Sequence, residues 1–160
     1  MLLASDGTDS SRNIPHILAV WGGAFRGLPV EVISVAAHEA FMRSSGAFGA
    51  VRGERLPHPD FGAHEQVAQM VADELIELGW HAAATVSVGD PEREILSAAK
   101  SWKADLIVTG SRGLGTLRRL LLGSVSHNLL MHSHSSLLVM RGNVPARLRE
   151  PAFVGREALA

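Results

Sequence analysis

The chain has 160 residues, 46% hydrophobic and 19% charged, with a formal net charge of −1. That is a one-domain length with enough apolar residues for a sizeable core, and its charge balance gives no electrostatic case for nucleic acid or an anionic membrane as the main partner. With no cysteine there is no disulfide framework, thiolate metal site or cysteine nucleophile. The opening stretch Met1-Leu2-Leu3-Ala4-Ser5-Asp6 lacks the basic region of a signal peptide. No apolar run approaches the ~18 residues that suggest a membrane span, so the expected location is the cytoplasm.

Met1 to Ala4 reads as a short strand, and Ser5-Asp6-Gly7-Thr8-Asp9-Ser10 as the turn and cap that follow it. Either this strand is short or it continues upstream of the given chain. Ile14, Ile17, Leu18, Trp21 and Phe25 repeat at helical spacing and give one apolar face. Asp9, Ser10 and Ser11 are the candidate N-caps, and Pro15 sits in the first turn, where its missing N–H matters least. Val30 to Ala36 reads as a second strand. From His38 to Ala63 the periodicity is lost among glycines and prolines, which reads as a long loop, either a functional lid or a disordered segment.

His64 to Gly79 reads as a helix, with Val67, Val71, Leu75 and Leu78 on one face and Gly79 just past its end. Ala82, Ala84, Val86 and Val88 alternate as a third strand. Gly89-Asp90-Pro91 then ends that strand and starts a helix, with Asp90 as N-cap and Pro91 in the first position. Ile95, Ala99 and Trp102 are its expected buried face. Leu106 to Thr109 is a short apolar run bounded by a turn signal, as a fully buried parallel strand should be. A last helix is expected over Ser124 to His134, with Val125, Leu129 and Leu130 inward, and a fifth strand over Leu137 to Met140. Residues 142–160 read as a tail.

Strands alternating with helices imply parallel pairing and right-handed crossovers. The expected fold is α/β, a single five-stranded parallel sheet of order 3-2-1-4-5 with helices on both faces. Its switch point lies between the first and fourth strands, and ligands bind there, outside the carboxyl ends. Two turns meet at that point, Ser5-Asp6-Gly7 and the glycine-rich stretch from Gly110 to Gly113. The helix after the glycine loop, capped by Ser124 or Ser126, offers free N–H groups and a positive dipole end to an anion.

The common phosphate and catalytic motifs fail. No Gly-Lys pair exists for a Walker A loop, and Gly113-Leu114-Gly115-Thr116-Leu117-Arg118 lacks the third glycine of a dinucleotide fingerprint. The nucleophile elbow G-x-S-x-G and the zinc motif H-E-x-x-H are also absent. His127, His132 and His134 do not have the i,i+3 or i,i+4 spacing of a helical metal pair and read as surface or interface residues.

What stands instead is Gly110-x2-Gly113-x9-Gly123-Ser124, with Ala-Asp-Leu-Ile-Val before it and Leu-Leu-Val-Met-Arg after it. This closely resembles the ATP-binding branch of the universal stress protein family, whose signature is G-x2-G-x9-G-[ST]. Ala4-Ser5-Asp6-Gly7 and Val88-Gly89-Asp90-Pro91 fit the same family, so the resemblance runs over residues 1–141.

The resemblance implies an adenine nucleotide α-hydrolase-like fold and a role for each matching position. Asp6 would hold the adenine or ribose end, with Ala4 and Ser5 lining the same wall. Val35 would contact the adenine ring, and Thr109 and Gly110 would lie against base and ribose. Gly113, Gly123, Ser124, Val125 and Ser126 would surround the phosphates. It also implies ATP as ligand, with AMP as the alternative and Mg²⁺ as an accompanying ion, and a homodimer paired through Leu137–Met140.

From the residues alone, Asp6 serves either as a ligand contact or as a plain turn and cap residue. Arg112 either neutralises phosphate or is a solvated loop residue. The expected function is a nucleotide-dependent, homodimeric stress regulator and not a dedicated enzyme, with slow ATP hydrolysis compatible. Two rivals remain: an ATP- or AMP-handling hydrolase or transferase of the same fold, and a nucleotide-free interaction domain.

Overall fold

The computed structural model describes residues 1–21, 27–37, 61–111 and 123–140. Arg112, Gly113, the 38–60 part of the long loop and the 142–160 tail lie outside the described residues.

Strand β1 (Leu2–Ala4) is three residues long and wholly buried. It is central, flanked by β2 (Pro29–Ala37) on one side and β4 (Leu106–Gly110) on the other. β3 (His81–Gly89) pairs with β2, and β5 (Ser136–Met140) pairs with β4. Every pairing is parallel, and the order is β3-β2-β1-β4-β5, as the alternation of elements requires. The register sets Ala4 beside both Ile33 and Thr109, so the carboxyl ends of β1 and β4 finish together.

Side-chain alternation along these strands divides the core in two. Leu3, Val32 and Val108 point to one face, covered by Ile14 and Leu18 of α2 (Ile14–Trp21) and by Val71 and Leu75 of α3 (Phe61–Glu77). Leu2, Ile33 and Ile107 point to the other, covered by Ile95 and Ala99 of α4 (Pro91–Ser101) and by Leu129 of α5 (Ser124–His132). A single helical turn, α1 (Asp9–Arg12), precedes α2.

Local chemistry explains several boundaries. The Asp90 side chain accepts the Arg93 N–H at 3.0 Å and Pro91 takes the first helical position, as expected of α4. Gly79 adopts φ +86 just beyond α3, a conformation that glycine enters without a Cβ penalty. There the Trp80 N–H returns to the Leu75 carbonyl at 2.9 Å.

Five expectations change. Helix α3 starts at Phe61, so residues 61–63 leave the long loop and form its first turn. The N-cap position of the first helical segment is Thr8 and not the expected Asp9, Ser10 or Ser11, and the segment ends at Asn13 before α2 begins. Helix α5 stops at His132, two residues short of His134. Trp102 is the C-cap of α4 and 46% exposed, because the helix ends before its ring could turn onto the sheet. Leu130 is 59% exposed, because its neighbour Leu129 takes the one inward position of that turn.

Candidate functional site

The site is assembled at the carboxyl ends of β1 and β4. Leaving β1, the buried Ser5 donates its N–H to the Ile33 carbonyl at 3.0 Å, which continues the ladder one residue past the strand. Asp6 then closes the turn. Its Oδ1 accepts three hydrogen bonds, from the Thr8 N–H at 3.1 Å, the Thr8 hydroxyl at 2.7 Å and the Ser11 hydroxyl at 2.9 Å. These bonds fix the carboxylate plane, while Oδ2 has no partner among the described residues. The turn reading of Asp6 is therefore realised through one oxygen, Oδ1.

Across the crevice, β4 ends in Thr109 and Gly110, both buried. The chain beyond them is held at its base. The Ser111 N–H reaches the Met140 carbonyl at 2.6 Å, and the Gly123 N–H reaches the Ser111 carbonyl at 2.8 Å. Ser111 and Gly123 are thus hydrogen-bonded to each other, so Gly110 and Gly123 stand close in space although thirteen positions apart by number.

Helix α5 starts from Gly123, in extended conformation and without a side-chain cap. Neither Ser124 nor Ser126 caps it. The two serines instead diverge. Ser126 is 3% exposed and donates its hydroxyl to the Gly110 carbonyl at 2.7 Å, which fastens the start of α5 to the end of β4. Ser124 is exposed, with its side chain unbonded among the described residues. The N–H groups of Ser124, Val125 and Ser126 likewise have no acceptor among the described residues. Three open donors at the positive end of a helix suit phosphate oxygens.

The remaining expected site residues take definite places. Ala4 is buried and Val35 half-buried, and both belong to the α4–α5 side of the sheet. Val35 lies two residues beyond Ile33, past the end of β1, where a planar apolar group could rest against it. His127, His132 and His134 are exposed, and His132 pairs with Glu92 at 2.7 Å, linking α5 to α4. From sequence Ser11 reads only as a candidate helix cap, whereas it orients the Asp6 carboxylate. A hydroxyl one helical turn after Thr8, on the crevice side of the first helical segment, was the available signal.

The sequence model of the universal stress protein family matches residues 1–141. The chain belongs to that family. Universal stress protein Sll1388 of Synechocystis is 31% identical over 118 residues, which span 71% of this chain and 74% of that protein. The structure resembles MJ0577 of Methanocaldococcus jannaschii with a TM-score of 0.67 at 22% identity, covering 90% of this chain and 96% of that one. It also resembles the Archaeoglobus fulgidus universal stress protein in complex with dAMP, with a TM-score of 0.61 at 18% identity over 87% and 94% of the two chains. An Arabidopsis thaliana family member with AMP bound has the same fold, with a TM-score of 0.52 at 18% identity over 94% and 99% of the chains. The five-stranded order read from the alternation of elements is thus the order of a universal stress protein.

Proposed function

We propose that this universal stress protein is a nucleotide-dependent regulator that takes ATP, with AMP as the competing ligand, in the crevice between β1 and β4. The observation that carries the proposal is the set of three unengaged N–H groups at Ser124–Ser126, held at the end of β4 by the Ser126–Gly110 bond. Support comes from solved proteins of this fold that hold dAMP or AMP.

In this reading the phosphates lie on the α5 amides and the Ser124 hydroxyl, while Asp6 Oδ2 accepts from the sugar or base. Thr109 and Val35 face the nucleoside. No group of three or more His, Asp or Glu among the described residues could hold a metal ion, so Mg²⁺ would enter on the phosphates. Binding is favoured over dedicated catalysis because the Asp6 carboxylate is fixed by three donors, which suits it to orienting a hydroxyl. We further propose a homodimer through β5, which is an edge strand of the sheet, and a cytoplasmic location.

Calorimetric titration of the full chain with ATP, AMP and cyclic AMP tests this reading. Saturable ATP binding with slow or no turnover is the expected result. Rapid turnover that is lost in Arg112→Ala would transfer the chain to the enzyme reading. Absence of heat with all three nucleotides would leave only the interaction-domain reading.

A further inference from the structure

A cavity lies away from this crevice. Its volume is about 260 Å³, and it opens between α4 and the β2–β3 side of the sheet. Glu31 of β2, Thr85 and Ser87 of β3, and Glu94, Ser97 and Trp102 of α4 line it. None of these belongs to the nucleotide crevice.

Glu31 is the unexpected member. In register with Leu2 on the face that carries Ile33 and Ile107, it occupies a core position and is only 3% exposed. The Thr85 hydroxyl donates to its Oε1. Its Oε2 is buried without any hydrogen-bond partner. Among the described residues no Lys, Arg or His pairs with it. A buried carboxylate with an open acceptor is costly unless something donates to it.

The lining chemistry specifies the donor. Two carboxylates and the hydroxyls of Ser87, Ser97 and Ser101 offer acceptors, and the Trp102 indole offers a π face, which attracts cations. An anion would meet only repulsion from Glu31 and Glu94. A bare divalent ion would lack ligands, since no described cluster reaches three acidic or imidazole groups. The volume exceeds by several-fold the roughly 30 Å³ of one water and admits a short alkyl chain.

We propose that this cavity binds a small organic ammonium ion, whose N–H donors meet Glu31 Oε2 and whose alkyl part lies along Trp102. The test uses the full chain with n-butylammonium as probe and n-butanol as its uncharged counterpart. The indole N–H resonance of Trp102, identified with Trp102→Leu, is followed by NMR. Butylammonium should shift it saturably and butanol should not. Glu31→Gln preserves shape and an acceptor for Thr85, and should weaken binding by about tenfold or more, as loss of a charged hydrogen-bond partner does. Ser97→Leu, at an exposed position on α4, should block the cavity and abolish the shift, which keeps the test decisive if Glu31→Gln does not fold. Equal response to butanol, unchanged affinity in Ser97→Leu, or no saturable shift overturns the proposal. So does displacement of the probe by AMP, which would place it in the nucleotide crevice.

Discussion

Replacing Ser126 with alanine removes the one side-chain bond that, among the described residues, fastens α5 to the end of β4. The hydroxyl is buried and its 2.7 Å bond to the Gly110 carbonyl is short and made in a dry place. Stranding one partner of such a bond costs about 1–3 kcal/mol, and the better helix propensity of alanine returns a few tenths. A net loss of about 1–2 kcal/mol in a domain of this size lowers the melting temperature by roughly 3–8 °C. Ser124→Ala is the matched control: two residues away, exposed and without a side-chain bond among the described residues, it should change stability by less than about 0.5 kcal/mol. Thermal unfolding followed by circular dichroism compares the two variants with the parent. Nucleotide titration then separates their roles, since Ser126→Ala should weaken AMP binding by disturbing the position of three amides, and Ser124→Ala by removing one donor. Equal melting temperatures for the two variants would refute the argument that Ser126 clamps the site.

Two further outcomes follow from the same geometry. Gly7 holds φ +76, and a Cβ there would lie 2.8 Å from Val67 Cγ2, so Gly7→Ala should cost about 2–4 kcal/mol in urea unfolding through backbone strain and overpacking together; adding Val67→Ala should recover the packing part, and no recovery would show that the strain lies in the backbone alone. Burial raises the Glu74 carboxyl above its usual value, with His16 at 2.8 Å opposing that rise and Glu77 adding to it. The folded protein therefore keeps this proton to higher pH than the unfolded chain does, so the stability due to Glu74 is fully present below the ordinary glutamate range and falls as pH rises through the folded value. Glu74→Gln should flatten that decline across a series of urea midpoints from about pH 4 upward, and an unchanged slope would place its origin elsewhere.

The elements were legible because their causes are local. Asp90-Pro91 starts α4 and Gly79 ends α3 by chemistry confined to a few neighbouring residues. Alternating strands and helices, with right-handed crossovers, leave few sheet orders, and the observed one is among them. The spaced glycines of 110–123 likewise marked the candidate site, since a turn that brings backbone to a ligand must be written in the residues of that turn.

What tertiary structure alone decided was the inward or outward state of particular side chains. Ser124 and Ser126 look alike in the motif, but helical rotation sends one to solvent and the other to the Gly110 carbonyl, sixteen residues back. Leu129 and Leu130 divide in the same way. Asp6 reads from sequence as a ligand contact or a turn residue, and only the fold shows Thr8 and Ser11 occupying one of its oxygens. Glu31 gave no sign at all: a charged residue within an apolar strand reads as its solvent face. Only the docking of α4 on that side of the sheet, and the approach of Thr85 from 54 residues away, make it a buried acid beside a cavity. Periodicity fixes which residues share a face, but burial depends on what arrives to cover that face, and that covering comes from distant parts of the chain.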